Sequence, residues 1–337
     1  RLLWQAAAVH GGPGDLLGGV LEAVDATLRS GRSAVVVLPT VRELTPAIAR
    51  FRAVFGHGAV GSLASEAGRS ARYRAYLAAA RGEARIILGT RSAVFAPVKD
   101  LGLVVVVDDG HDAHEELRAP YPHARAVAIL RSARQDAALM LAGHSRSIDA
   151  QALVERGWLA SLSLTPTDAR RVIAPVRAIG EVERERDPAA ARLRIPSMAF
   201  QFLREHLPQG PVLVQVPMTG HSASLACRRC GNRATCAKCG GPMRARRRDE
   251  PECALCGFKP TRWSCQHCHT SQLRTPLPGA ARTAEELARA FPGVLAVNSS
   301  AKNIRDEIPD EPAIVVATPG AEPSAPSGYA GVMILDT

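Results

Sequence analysis

All eight cysteines of this chain fall between Cys227 and Cys268, in the order C-x2-C-x5-C-x2-C-x13-C-x2-C-x8-C-x2-C. A C-x2-C pair folds into a tight knuckle that aims two sulfurs at one centre, which is half of a tetrahedral zinc site. Four knuckles therefore make two closed four-thiolate sites with no cysteine left over. Disulfides and iron–sulfur clusters are the rival uses. Paired knuckles in a chain with nothing like a secretory signal favour metal over disulfide, and the usual iron–sulfur spacings differ from this one. The sequence predicts two structural zinc ions.

Spacing alone does not fix which knuckle pairs with which. Only five residues separate the first two knuckles, so sequential pairing is cramped. Nested pairing puts Cys227, Cys230, Cys265 and Cys268 on one zinc and Cys236, Cys239, Cys253 and Cys256 on the other. The ends of such an excursion come back together, as an insert leaving and re-entering a larger domain requires. Nested pairing is preferred.

The same stretch is basic. Residues 226–274 carry eleven Lys/Arg against three Asp/Glu, a formal +8, or about +4 once eight thiolates and two zinc ions are counted. Arg244, Arg246, Arg247 and Arg248 sit in the longest inter-knuckle loop. A run of this kind is either a solvated face or a partner for nucleic-acid phosphate. Phe258 and Trp263 are the large aromatics of the stretch. Packing is the expected role of Phe258, whereas Trp263 suits either packing or base stacking. His221, His267 and His269 flank the knuckles but find both sites already filled by sulfur.

Over 337 residues the net charge is +10, and 46% of the residues are hydrophobic, enough to bury two ordinary cores. The basic excess lies in residues 1–225 and the cysteine stretch, since residues 275–337 carry 4 basic against 8 acidic side chains. No apolar run approaches the roughly 20 residues that span a bilayer. The expectation is a soluble protein with no membrane partner, and reduced cysteines place it in the cytoplasm. The chain starts at Arg1 rather than Met and stops at Thr337 just after an apolar run, so the expectation is either a piece of a longer chain or a chain whose flanks were removed.

Apolar residues at helical spacing over 16–28 end at Gly31, and the continuous apolar run 34–38 before Pro39 reads as a strand buried on both faces. Helical stretches follow near 42–55, 66–81, 122–134 and 148–157, with strand-like runs at 85–88, 103–107 and 138–142. After a softer, charged segment the rhythm resumes with a helix at 197–207 and a strand at 211–216. A helix at 283–291 and strands at 294–297, 313–317 and 332–335 complete it. This alternation predicts an α/β fold of two parallel-sheet lobes. The expected domains are lobe 1 at 1–160, a linker at 161–196, and lobe 2 at 197–337, interrupted by a zinc insertion at 226–274.

Several motifs now carry a resemblance. Gly89-Thr90-Arg91-Ser92-Ala93-Val94-Phe95-Ala96-Pro97 is similar to the "GTRSA-F-P" motif of the PriA family of bacterial primosomal replication-restart proteins, which are superfamily 2 DNA helicases. Asp108-Asp109-Gly110-His111-Asp112 stands where that family has "DEEHD", and Tyr121-Pro122-His123-Ala124-Arg125 resembles its "YxAR" element. Leu38-Pro39 with Leu44-Thr45-Pro46 resembles "PE…LTP", and the knuckle spacing matches the family's zinc insert. The resemblance implies two RecA-like lobes, nested zinc pairing, and forked and single-stranded DNA as ligands. It also implies partners: primosome proteins, the replicative helicase and its loader, and single-strand-binding protein. Thr90, Arg91 and Ser92 follow a strand and are candidates to grip the sugar–phosphate backbone.

The departures concern ATP. A phosphate-cradling loop needs G-x-x-x-x-G-K-[ST], because backbone amides and a lysine hold the phosphates. The matching stretch here includes Gly12, Pro13 and Gly14, then Asp15 at the lysine position and Leu16 at the magnesium-ligating hydroxyl. A carboxylate facing phosphate is repulsive, and Pro13 removes one amide. In the acidic motif Asp108 is retained, but the catalytic Glu is Asp109, shorter by one methylene. The "GSATPS" motif has become Ala142-Gly143-His144-Ser145-Arg146-Ser147. "GTQMxxKGHxFP" survives only from Ala317-Thr318-Pro319-Gly320 onward, and the last helicase motif, with its arginine finger, would lie beyond Thr337. The expectation is a DNA-binding replication-restart protein that recognises stalled forks and promotes helicase reloading, with two zinc ions, no ATP and no ATPase of its own. The alternatives are an active 3′-to-5′ ATP-dependent helicase and a zinc adaptor with no DNA role.

Overall fold

The computed structural model describes residues 1–7, 15–64, 68–178, 180, 195–217, 225–245, 251–274, 280–300 and 303–335. It divides into two compact units, Arg1–Arg177 and Ala178–Thr337.

In unit 1 the longest apolar runs make the centre of a parallel sheet. Strands β2 (Ser33–Val37) and β5 (Leu101–Val107) are buried at every position and pair with each other. Around them lie β1 (Leu2–Gln5), β3 (Val60–Ser62), β4 (Ile86–Gly89), β6 (Ala138–Gly143) and β7 (Ala160–Ser163), in the order β3-β4-β2-β5-β6-β1-β7. The period of two sorts their side chains into two cores. Ala34, Val36, Leu103 and Val105 pack under helices α1 (Leu16–Arg29) and α2 (Val41–Phe55), where Val20, Val24, Leu44 and Phe51 are buried. Val35, Val37, Val104 and Val106 face the opposite way. There they meet α3 (Gly68–Arg81), α4 (Ala124–Arg134) and α5 (Ile148–Glu155) through Ala79, Ala124, Ala128 and Ala150.

Local chemistry sets the helix ends. Thr40 and Glu43 form a reciprocal capping box at the start of α2, with the Thr40 amide 3.0 Å from Glu43 Oε2. Gly56, at φ +82°, stops that helix. Gly19 in α1 has no alternative, because a Cβ there would sit 2.1 Å from the Trp4 ring.

Three strands of this sheet escape a reading of apolar runs. β1 and β3 are only four and three residues long, and β7 is exposed at all four positions. β7 opens the segment expected to be linker. It is held by pairing with β1, Leu2 to Ala160 through Gln5 to Ser163, and α6 (Pro166–Val172) follows it.

Unit 2 has a four-stranded parallel sheet ordered β13-β14-β8-β15. Its strands are β8 (Val212–Gln215), β13 (Leu295–Ser299), β14 (Ala313–Ala317) and β15 (Gly331–Ile334). Helices α7 (Ser197–His206) and α8 (Ala280–Ala290) bury Leu203, Ala284 and Leu287 against Val212, Val214, Ile314 and Val316. Between β8 and α8 the chain makes the cysteine-bearing excursion. It contains two antiparallel pairs, β9 (Ala226–Cys227) with β12 (Leu273–Arg274), and β10 (Met243–Ala245) with β11 (Pro251–Cys253). The first pair closes the excursion and the second lies inside it. Among the described residues no helix is long and apolar enough to cross a membrane.

Candidate functional site

The cysteines gather into two groups, Cys227, Cys230, Cys265 and Cys268, and Cys236, Cys239, Cys253 and Cys256, with the four sulfurs of each group within 4.8 Å of one another. This is the nested grouping, and the nested strand pairs produce it. β9 and β12 bring the outer knuckles together, with Leu273 opposite Cys227, while β10 and β11 set Met243 opposite Cys253. Sulfur–sulfur distances are 3.4 Å for Cys227–Cys268, 3.6 Å for Cys230–Cys265 and 3.8 Å for Cys236–Cys256. A tetrahedron with about 2.3 Å metal–sulfur bonds has edges of about 3.8 Å. A disulfide needs about 2.05 Å. All eight are free thiols, so the arrangement fits two metal ions rather than cross-links.

Without a metal the thiols within each group split, Cys227 and Cys253 being held at about 6 while Cys230 and Cys239 are pushed up to about 12. Amide nitrogens of Lys238, Cys256 and His267 lie 3.4, 3.5 and 3.4 Å from the sulfurs of Cys236, Cys253 and Cys265. The Cys256 amide leads in holding Cys253 at about 6, with the Leu255 amide and the Cys239 and Cys256 thiols adding to it against burial. The amides of Cys268 and His267 likewise hold Cys265 below the ordinary thiol range. Around the sulfurs Leu225, Ala234, Met243 and Trp263 make a small core. Trp263 is 7% exposed and donates from Nε1 to the Thr235 carbonyl at 3.1 Å, so it packs. Phe258 is partly buried against the same core, with the Lys238 ammonium 4.3 Å above its ring. His267 and His269 are exposed, and His221 lies outside the described residues. Arg244 pairs with Glu252 across β10 and β11 at 3.6 Å. Arg246, Arg247 and Arg248 lie outside the described residues.

In unit 1 the polar side chains cluster where the parallel strands end. Asp15 immediately precedes α1, is 9% exposed, and forms an ion pair with Arg50 of α2. A lysine there would present a cation to phosphate. Here a carboxylate takes the place of an anion at a helix N-terminus, where partial positive charge favours it, and it has its own guanidinium. Gly12 and Gly14 lie outside the described residues.

Asp108 and Asp109 directly follow β5. Asp109 is 3% exposed, and its Oδ2 accepts from Arg125 Nη1 at 2.9 Å and from Ser147 Oγ at 2.6 Å. Arg125 reaches on to Asp149 at 2.6 Å, and Ser147 also caps α5 by accepting from the Ala150 amide at 3.0 Å. One buried carboxylate thus ties together the end of β5 and the starts of α4 and α5. Asp108 takes φ +47°, and Gly143 makes room for it, since a Cβ there would lie 2.6 Å from Asp108 Oδ1. Burial pushes the Asp108 carboxyl up, against the pull of His144 and His111. His114 is fully buried, with Nε2 2.7 Å from the Val107 carbonyl, and burial pushes its pKa down.

Thr90, Arg91 and Ser92 follow β4 and enter a 3-10 turn, Arg91–Phe95. Arg91 donates to Glu116 at 3.0 Å, holding that carboxyl below the usual range, and Ser92 accepts from Arg72 of α3 at 3.2 Å. Two partners had no local signal in the sequence. Arg50 lies 35 residues from Asp15, and Ser147 lies 38 from Asp109. Arg125 stood out only as the last letter of Tyr121-Pro122-His123-Ala124-Arg125.

No protein-family model matches the chain. It is 41% identical over 343 residues to a probable replication restart protein PriA of Mycobacterium bovis, covering 100% of this chain and 52% of that protein. The corresponding Mycobacterium leprae protein is 42% identical over 345 residues, again covering 100% and 52%. The replication restart protein PriA of Bacillus subtilis is 26% identical over 275 residues, covering 81% of this chain and 34% of the relative. The chain spans about half the length of its mycobacterial relatives.

Proposed function

The chain belongs to the PriA family, and from that premise we propose that it is a DNA-binding replication-restart protein that recognises stalled or abandoned forks and promotes reloading of the replicative helicase. The observation that carries the reading is the 41–42% identity with mycobacterial replication restart proteins along the whole chain. Zinc is the ion the eight thiolates suit, because a closed tetrahedral four-sulfur site is the usual structural zinc centre. On this reading the two units correspond to the RecA-like lobes expected at 1–160 and 197–337, with β7 and α6 of the expected linker 161–196 falling in unit 1 and the zinc module 226–274 inserted in the second lobe. Thr90, Ser92 and the arginines 244 and 246–248 face the sugar–phosphate backbone, while Arg91 must share its charge with Glu116. Forked and single-stranded DNA, primosome proteins, the replicative helicase and its loader, and single-strand-binding protein are the partners. The site of action is the cytoplasm, at the nucleoid.

We infer further that this half of the molecule works without ATP. The Asp15–Arg50 pair supports this, because the positive start of α1, where phosphate would sit, is already occupied by a carboxylate, and the guanidinium beside it is already engaged. Asp109, held by Arg125 and Ser147, is engaged where a water-positioning carboxylate has to be available. Fork binding by the metal-loaded chain, titrated with salt, tests the DNA reading. Affinity should fall steeply as salt rises, because phosphate contacts release counterions. Weak binding indifferent to salt would leave the adaptor reading in its place, and strand separation fuelled by ATP would restore the helicase reading.

A further inference from the structure

Helix α3 is built inside out. Its inner face, Ala75, Ala78 and Ala79, packs on the core through methyl groups alone. Its two aromatic side chains point the other way, Tyr73 at 63% and Tyr76 at 45% exposure. At 3.6 residues per turn, Arg69, Tyr73 and Tyr76 form one outward stripe, and Arg72 flanks it. An amphipathic helix ordinarily buries its large rings, since each is worth kilocalories of burial and two exposed side by side forgo that gain. The exposed faces of α3 also lack acidic groups. The helix carries Arg69, Arg72, Arg74 and Arg81 and no Asp or Glu.

The position of α3 gives the stripe a neighbour. The helix starts just after β3, at the edge where the parallel strands end, and Arg72 donates to Ser92 at 3.2 Å. That bond fixes the stripe beside the turn that follows β4, whose last residue, Phe95, is 59% exposed. Aromatics make up only 4% of the chain. Among the described residues the large exposed rings are Tyr73, Tyr76, Phe95 and Tyr121, all in unit 1.

We propose that the Arg69–Tyr73–Tyr76 stripe of α3 is a stacking platform for single-stranded nucleic acid, extending the backbone-gripping turn at Thr90–Ser92. The assignment rests on the DNA-binding reading above. Rings that take bases and guanidinium groups that take phosphates are the two elements of sequence-tolerant single-strand binding, and a cationic face without carboxylates is complementary to that ligand. An acidic peptide would account for the arginines but would leave both rings without a purpose.

The test uses the metal-loaded full chain and a fluorescein-labelled oligothymidylate, read by anisotropy across a salt series. Replacing Tyr73→Ala and Tyr76→Ala together should weaken binding roughly tenfold to a hundredfold, with the salt slope unchanged. The paired Tyr→Phe variant should bind like the unaltered chain. Arg69→Gln should lower the slope by about 0.7, the share of one phosphate contact on a single strand. Ultraviolet crosslinking of a 4-thiothymidine probe should label the α3 peptide in the unaltered chain. Full affinity in the double alanine variant, while the unaltered chain binds, would overturn the platform and leave the DNA reading standing. So would a shift from dimer to monomer in that variant without loss of affinity, since the face would then belong to a second copy. An unaltered chain that binds neither the probe nor forked DNA would overturn both.

Discussion

The two polar centres of this protein solve opposite problems. At the edge of the unit 1 sheet the buried carboxylates Asp15 and Asp109 have found partners from their own chain: Asp15 has Arg50, and Asp109 has Arg125 and Ser147. In the cysteine module the donors have found only one another, with sulfurs at 3.4–3.8 Å and amides that stabilise negative charge on them. A centre satisfied from within does not need a ligand and resists one. Four convergent thiolates would repel each other, and without an ion Cys230 and Cys239, one in each group, are pushed up to about 12 and keep their protons. The first arrangement pairs its carboxylates internally, whereas the second has the donors to hold a metal ion.

The largest effect that could break this contrast lies in the module. Cys253→Ser should lose one of two metal equivalents, measured by elemental analysis, and should open residues 225–274 to protease while unit 1 stays folded. Structural four-ligand zinc sites hold about 10–16 kcal/mol of apparent binding energy, which becomes folding energy in a module whose core is this small. Retention of both metals and of protease resistance would remove the claim that the ion completes the fold.

Next in size is the carboxylate hub. Arg125 and Asp109 side chains are 13% and 5% exposed, so Arg125→Met strands a buried charge and should cost about 3–5 kcal/mol in urea unfolding. Combining it with Asp109→Leu should recover much of that loss. A cost near zero for the single variant would mean that Asp109 is free for other work.

Smaller still is Asp15→Lys, which restores the letter of a phosphate-binding loop. It should cost about 1–2 kcal/mol, because a cation would then face Arg50 at the positive end of α1. It should confer no nucleotide affinity, since Leu16 still lacks the hydroxyl. Micromolar nucleotide binding by this variant would show that one charge was all that closed the site.

The smallest effect is a pH dependence. Burial holds the His114 pKa below its unfolded value, so the folded state binds the proton less readily. Stability is therefore present above the unfolded pKa of about 6.5 and is lost as pH falls below it. His114→Gln should flatten the acid side of a thermal-unfolding profile. An unchanged slope would place the titration elsewhere.

Much of this was legible from spacing. Eight cysteines with no remainder announced both metal sites, and the continuous apolar runs at 34–38 and 103–107 marked the two central strands. What the sequence concealed was short or distant. β1 and β3 offer too few residues for a period to emerge, and β7, exposed throughout, has no apolar signature. Trp263 could not be assigned from sequence because packing and stacking demand the same residue, and only its bond to the Thr235 carbonyl separates them. The Arg50 and Ser147 contacts arise from helices folding over the sheet edge, a long-range event that leaves no local pattern.

On the proposed reading the Asp15–Arg50 pair fills the phosphate position from within while DNA binding persists. Calorimetric titration of Mg-ATP into the metal-loaded chain, with forked DNA bound, tests it most directly. The account predicts no saturable heat and fork affinity indifferent to nucleotide. Micromolar binding accompanied by DNA-stimulated hydrolysis would contradict it.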